Sequence, residues 1–468
     1  VIPSLLALAC APPPAGETRT APTATDSGGA VPSGTDHTGA PVTAVDDTGA
    51  VTVPAPGPFA ATLAHLRFGC ELINGDTVDR PSANDTHHRF NLLGTDLGVP
   101  VVAGSEVFLF FGDTVGYRQI WTWGEDPDSV AHLPLAALEA DPSAVCRDLE
   151  VLVTPDVPSV AAGVDPSIRR DFAGAAMVAP LGTSVTDFVG DPAGPFPWMP
   201  GTFEVPTGGL YQDGRIWLFY AGLVDFGPPI RPTSSYLVRW DPQSSVPTYE
   251  IVRPVDALRG GAMGGGFVQV APVRWGPDLY LFGTGDFRRS GVTLARLPAT
   301  ELATGAGTSF WDGTSFGSDP AVPPVFETDG VGELSVVARE SDGLVLALYQ
   351  RELKNADGWL IENRILLRAA PHPTGPWSEP LTVIDMADPG FQAAHCCTGA
   401  TCPGERILHC DRAGLYGAYL LPALRVERAA DGSIHVEAPF LVSTWDPYNV
   451  VTFTAEVDLA PLPASPGR

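Results

Sequence analysis

Beyond its N-terminal tract the chain has no run of eighteen apolar residues, so no later segment reads as a membrane-spanning helix. Basic residues are scarce: 27 Lys and Arg stand against 54 Asp and Glu, a formal net charge of -27. A surface of that sign repels phosphate backbones and anionic headgroups, which excludes nucleic acid as a partner. Solubility outside the cell explains the acidity better than a basic partner does. Also missing are a Walker loop, a dinucleotide fingerprint and a Gly-x-Ser-x-Gly elbow opening a helix, so nucleotide, nicotinamide and Ser-His-Asp chemistry lack support.

What the chain has is turn-formers. Among 468 residues, 51 are Gly and 48 Pro, which cut against long helices. Strand-like runs recur between turn signals such as Asp213-Gly214, Asp342-Gly343 and Asp431-Gly432, and the class expected is all-β. The length prior favours more than one domain, but barrels and propellers exceed it as single units, so one large core is expected.

Residues Leu5 to Ala9 followed by Cys10 resemble the end of a bacterial lipoprotein signal, with Cys10 the lipidated residue. Ala7-Leu8-Ala9 sets the Leu one position off the usual lipobox, and an ordinary cleavable signal is the alternative. Either way export is expected, to the cell surface or periplasm as a lipoprotein, or by secretion. Residues 11–60 are Thr, Ala, Pro, Gly, Ser and Asp, with a loose echo in DSGGA, SGTDHTGA and VDDTGA. Such a tract cannot bury enough apolar surface to offset its ordering entropy, so a disordered tether is expected ahead of a domain spanning 61–468.

That domain carries a fivefold rhythm. GTDLGVPVV from Gly94, GTFEVPTGGL from Gly201, GGFVQVAPV from Gly265, GVGELSVVA from Gly330 and LYGAYLLPAL from Leu415 are each followed by a second β-rich run. Those partners are VFLFFGDT from Val107, RIWLFYAG from Arg215, DLYLFGTGD from Asp278, LVLALYQRE from Leu344 and APFLVSTWD from Ala438. The rhythm is that of a five-bladed β-propeller, whose inner strands line one axial tunnel. Consecutive strands of a blade are antiparallel, so the start of the first and the end of the second share a rim. The rule gathers Asp96, Asp113, Glu204, Gln269, Asp286, Arg288, Glu333, Tyr416, Trp445 and Asp446 around one mouth. A third strand shows in four repeats, and in three it holds an Arg, at Arg239, Arg296 and Arg368. These are read as partners of neighbouring carboxylates rather than anion binders.

Six cysteines follow Cys10: Cys70, Cys146, Cys396, Cys397, Cys402 and Cys410. The last four crowd one loop with His395 and His409, which invites zinc, but the spacing fits no usual zinc pattern. In an exported protein the even count favours disulfides, of unassigned connectivity. The sequence demands no cofactor. A Ca2+ ion in the tunnel is compatible with it, with His87, His88 and carboxylates as ligands, though no EF-hand spacing occurs.

Glycoside hydrolysis needs two carboxyl groups flanking the scissile bond, one protonated and one ionised. Trp445, Tyr416, Tyr419, Trp198 and Phe203 are candidate stacking faces, most of them expected to be core. GTDLG at 94–98, FFGDT at 110–114, VGELSVV at 331–337, ILLRAAPHPTGPWSEP at 365–380 and STWDPYNV at 443–450 resemble one bacterial family of five-bladed propellers. That family was long known only as a domain of unknown function and is associated with endo-D-arabinofuranases. The resemblance spans about Leu92 to Val457 and implies an acidic pair at Asp96 and Asp113 and a fourth-blade acid at Glu333. The roles inferred are Asp96 as base or nucleophile, Glu333 as general acid and Asp113 as orienting group, with Glu204 a further candidate carboxylate. The stretch from Tyr117 to Pro200 and the loop from Ala394 to Cys410 depart from the pattern, and bear on substrate more than on fold.

The leading expectation is an exported, monomeric hydrolase whose partner is a polysaccharide, D-arabinan first, touching a membrane only through a lipid anchor. A non-catalytic glycan-binding propeller and a furanosidase of other specificity, such as one for L-arabinan, are the alternatives.

Overall fold

The computed structural model describes residues 59–73, 82–116, 128–154, 167–178, 203–224, 230–255, 261, 263–354, 360–397, 402, 406–411 and 413–462. The chain divides into two units, Val1–Ala55 and Pro56–Arg468. The first lies outside the described residues, and with it Cys10 and most of the expected tether; Trp198 lies outside them too.

The second unit is all-β, as the turn-rich composition predicts. Its described helices are short: Thr86–Phe90, Leu135–Ala140 and Pro389–His395. The strands form antiparallel meanders. In chain order the first runs Leu97–Ala103, Glu106–Asp113, Asp128–Pro134 and Glu150–Val151. The second runs Phe203–Gln212, Arg215–Val224, Arg231–Trp240 and Thr248–Pro254, and its outer edge takes Ala176–Val178 in parallel. The third runs Gln269–Trp275, Asp278–Thr284 and Ser290–Pro298, edged by the hairpin of Ser309–Trp311 and Phe316–Gly317. The fourth runs Phe326–Arg339, Leu344–Lys354, Leu360–Ala370 and Leu381–Asp385, and is joined to the third where Ser290 faces Val331. The fifth runs Leu415–Leu420, Ile434–Thr444 and Asn449–Pro461, then takes as its outermost strand Phe59–Glu71, from the other end of the chain.

Period-two alternation decides the packing. In the second strand of the first meander, Phe108 and Phe110 join a core with Ile216, Leu218 and Trp240 of the second. Val107, Leu109 and Phe111, one residue out of phase, join another with Leu441 and Val450 of the fifth. The same two-sided burial holds between the second and third meanders (Phe219, Leu281), third and fourth (Phe282, Ala347), and fourth and fifth (Leu346, Phe440). This is why the second strands read as almost unbroken apolar runs. The first strands contact one another in the same cyclic order, Leu97–Ala103 touching both Phe203–Gln212 and Leu415–Leu420.

All three expected disulfides are present: Cys70–Cys146, Cys396–Cys410 and Cys397–Cys402. The first ties the outermost strand of the fifth meander to the segment Pro142–Cys146 that follows the first.

Candidate functional site

Each first strand has a polar residue within or just before it, Asp96, Glu204, Gln269, Glu333 and Tyr416 in turn, and three of them, Asp96, Glu333 and Tyr416, meet. Asp96 immediately precedes Leu97–Ala103. There Leu97 takes a left-handed φ of 62° and Gly98 one of 104°, a strained turn of the kind that clusters at functional sites. The Leu97 amide donates to Ser443 Oγ at 2.7 Å, fixing this turn to the fifth meander. Gly112 of the FFGDT motif lies against the carboxyl, and a Cβ there would collide with Asp96 Oδ1.

Asp96 is 9% exposed. Burial pushes its carboxyl up to about 7, the charge of Glu333 adds to the rise, and hydrogen bonds from Tyr416 and Tyr448 together with Arg288 oppose it. The Tyr416 hydroxyl donates to Asp96 Oδ2 at 3.0 Å.

Glu333, 5% exposed, has a different environment. Arg288 Nη2 donates to its Oε1 at 3.0 Å and the Gly417 amide to its Oε2 at 3.2 Å. Gly417 has φ 59°, and a Cβ on it would press on Ser443 Oγ at 2.7 Å. Arg288 also reaches Glu352 Oε2 at 3.5 Å, which accepts from Gln350 Nε2 at 3.2 Å. Burial alone would lower the guanidinium, but Glu333 and Glu352 outweigh it and hold its pKa raised. The guanidinium sits over the Tyr416 ring at 5.2 Å. Tyr416 and Gly417, consecutive in one strand, therefore hold the two carboxyl groups, Asp96 and Glu333, of the first and fourth meanders.

Of the other expected residues, Asp113 and Trp445 share Tyr448 with Asp96, and the rest are placed by partners of their own. Asp113 ends its strand, and its carbonyl accepts from the Tyr448 hydroxyl at 2.9 Å. Glu204 is buried, and its charge is felt at Asp128. Gln269 Oε1 accepts from Thr284 at 3.1 Å. Trp445 is 38% exposed with its ring edge-on to Tyr448 at 5.7 Å, an open aromatic face. The Asp446 carbonyl accepts from the His409 amide at 2.9 Å, and its carboxylate lies 3.9 Å from that imidazole. Asp286 is exposed and pairs with Arg289 at 3.4 Å. Tyr419 packs in the core.

Asp128 is a member that sequence reasoning missed. It opens the third strand of the first meander, directly opposite Asp113, and is fully buried. Glu352 and Gln350 were missed as well, although they lie near the end of a second strand, where the rim rule points.

Arg239 binds Glu250 at 2.9 Å, Arg296 lies 3.7 Å from Asp278, and Arg368 binds Glu327 at 2.7 Å, so all three pair with carboxylates. His88 is bonded to Asp85 at 2.6 Å, and the His87 ring packs on it, in and beside Thr86–Phe90. Among the described residues, the grouping of three metal-ligating side chains is Cys397, Cys402 and His409, and a disulfide already engages its two thiols.

No curated protein matches the sequence. Among solved structures, a Bacteroides ovatus protein described as a candidate hydrolase shares the fold, with TM-score 0.50 and 13% identity over 79% of this chain and 87% of that one. A Cellvibrio cellulosa α-L-arabinanase complexed with arabinohexaose aligns at TM-score 0.38 and 9% identity, over 80% and 94% of the two chains. A Bacillus subtilis arabinanase aligns at 0.37 and 12%, over 78% and 96%. The family profile described as Domain of unknown function (DUF4185) matches residues 201–454, a stretch that holds Glu204, Arg288, Glu333 and Tyr416. That match covers more than half of the chain, and the protein belongs to this family.

Proposed function

We propose that the protein is an exported glycoside hydrolase built on a five-bladed β-propeller, with endo cleavage of a furanosidic polysaccharide, D-arabinan foremost, as its reaction. The cyclic contacts of the five first strands support the blade number. The observation that carries the activity is the pairing at Tyr416 and Gly417 of two carboxyl groups in unlike environments. Asp96 is buried with its pKa near 7, and Glu333 is ion-paired to Arg288.

Two such groups divide the work of glycoside cleavage. The electrostatics favour the reverse of the roles expected from the sequence. Asp96, holding its proton toward neutrality, donates it to the leaving oxygen. Glu333, facing a guanidinium, acts as the anion that attacks the anomeric carbon or activates water. Arg288 positions Glu333, and the exposed Trp445 offers a stacking face for a sugar ring. The D-arabinan preference rests on the sequence resemblance; the fold shared with a candidate hydrolase agrees with a hydrolytic reading. Export through a lipidated Cys10 would place the enzyme at a cell surface.

Incubating the full chain with D-arabinan, with α-L-arabinan as control, tests the reading. Internal cleavage giving a ladder of D-arabinan oligosaccharides is expected. Glycan binding without product from either polymer would mark a lectin-like propeller instead.

A further inference from the structure

We propose that Asp128 is a positioning residue, kept as a neutral carboxylic acid behind Asp113, that fixes the charge and placement of that rim carboxylate. Its role in catalysis rests on the hydrolase reading above; its protonation does not.

Asp113 and Asp128 are Cα partners on neighbouring antiparallel strands. Their side chains therefore share one face, with Cβ atoms about 5 Å apart. Asp128 is 1% exposed, too buried to touch a substrate, whereas Asp113 is partly open. The Tyr220 hydroxyl, on the second meander, donates to Asp128 Oδ2 at 2.9 Å, and the Tyr249 ring packs on Tyr220 at 5.4 Å. Asp128 Oδ1 has no hydrogen-bond partner among the described residues.

The charged groups acting most strongly on Asp128 are all acidic: Asp113 from the adjacent strand, Glu204 from the second meander and Asp96 from the turn before the first strand. Burial is the largest influence and raises its pKa, these charges raise it further, and the Tyr220 bond opposes them. Carboxyl groups that face each other do not readily both ionise, and the more deeply buried one keeps the proton. That proton belongs on Oδ1, the oxygen Tyr220 does not occupy. A neutral Asp128 removes a like charge from behind Asp113.

Two readouts on the full chain test this. At neutral pH, the infrared difference between the wild type and Asp128→Asn should show a protonated-carboxyl band. The same band should survive Asp96→Asn. In kinetics on D-arabinan, Asp128→Ala should lower kcat by about 10²-fold, as misplacement of a site group does, with KM little changed. Asp128→Asn, a neutral isostere that still offers a donor, should restore most of that loss. A wild type without the band, a band that survives Asp128→Asn, or an Asn variant as slow as the Ala variant would overturn the assignment. A wild type that cleaves nothing defeats the hydrolase reading, and the infrared arm still decides the protonation of Asp128.

Discussion

At Asp96, burial and a neighbouring anion push in one direction, and the consequence is measurable away from any substrate. Its pKa rises from 3.8 to about 7 on folding, so between about pH 4 and pH 7 the folded chain holds a proton that the unfolded chain has lost. Stability from this group is fully present below about pH 4, falls through that window and levels off above pH 7. The total is on the order of 4 kcal/mol, at 1.36 kcal/mol per unit. Asp96→Asn removes the dependence, so thermal unfolding should show the variant gaining on the wild type from pH 4 to 7. A gap that stays constant with pH would contradict the shift. The same group sets the sign of the pH-rate profile: as general acid it must be protonated, so kcat/KM should fall on an alkaline limb near pH 7. A rise through that pH would restore the role of base to Asp96. Gly112 permits the arrangement, because its missing side chain leaves the space Asp96 Oδ1 fills. Gly112→Ala should therefore cost about 10²-fold in kcat while the strand still forms, checked by activity beside a circular-dichroism spectrum.

Single strands were the most legible features, because alternation and turn chemistry are local. All ten of the first and second strands lie where the apolar runs and Asp-Gly turns put them. The third strand of the first meander escaped because DSVAHLP is short and opens on an Asp that reads as loop. Its burial comes from Tyr220 and the neighbouring sheet, which no local pattern announces. The carboxyl positions were readable from the rim rule, but their charge states were not. That of Asp96 depends first on burial, then on Tyr416 and Glu333 from other meanders, while Arg288 enters from a turn with φ 54° and meets Glu333 across 45 residues of chain. Disulfide connectivity likewise needed the fold. Cys70–Cys146 closes a separation of 76 residues and fastens the outermost strand, Phe59–Glu71, near the helix Leu135–Ala140. Replacing both cysteines by serine should lower stability by about 2–5 kcal/mol, read as a fall in the denaturant midpoint. An unchanged midpoint would show that strand pairing alone secures the edge.

At the scale of the whole domain, cyclic packing brings the distant carboxyl groups of Asp96 and Glu333 together at Tyr416 and Gly417. Each meander buries one face against its predecessor and the other against its successor. The strand pairing of Phe59–Glu71 with Asn449–Pro461 joins the two ends of the domain. A cluster assembled this way draws its side chains from separate repeats, far apart along the chain. The measurement that tests this most directly is oligosaccharide release from D-arabinan by the wild type, Asp96→Asn and Glu333→Gln, each first shown to be folded. The wild type should release products, and each variant should fall by at least about 10²-fold, as expected when one member of an acid-base pair is lost. Full activity in either folded variant would contradict the account.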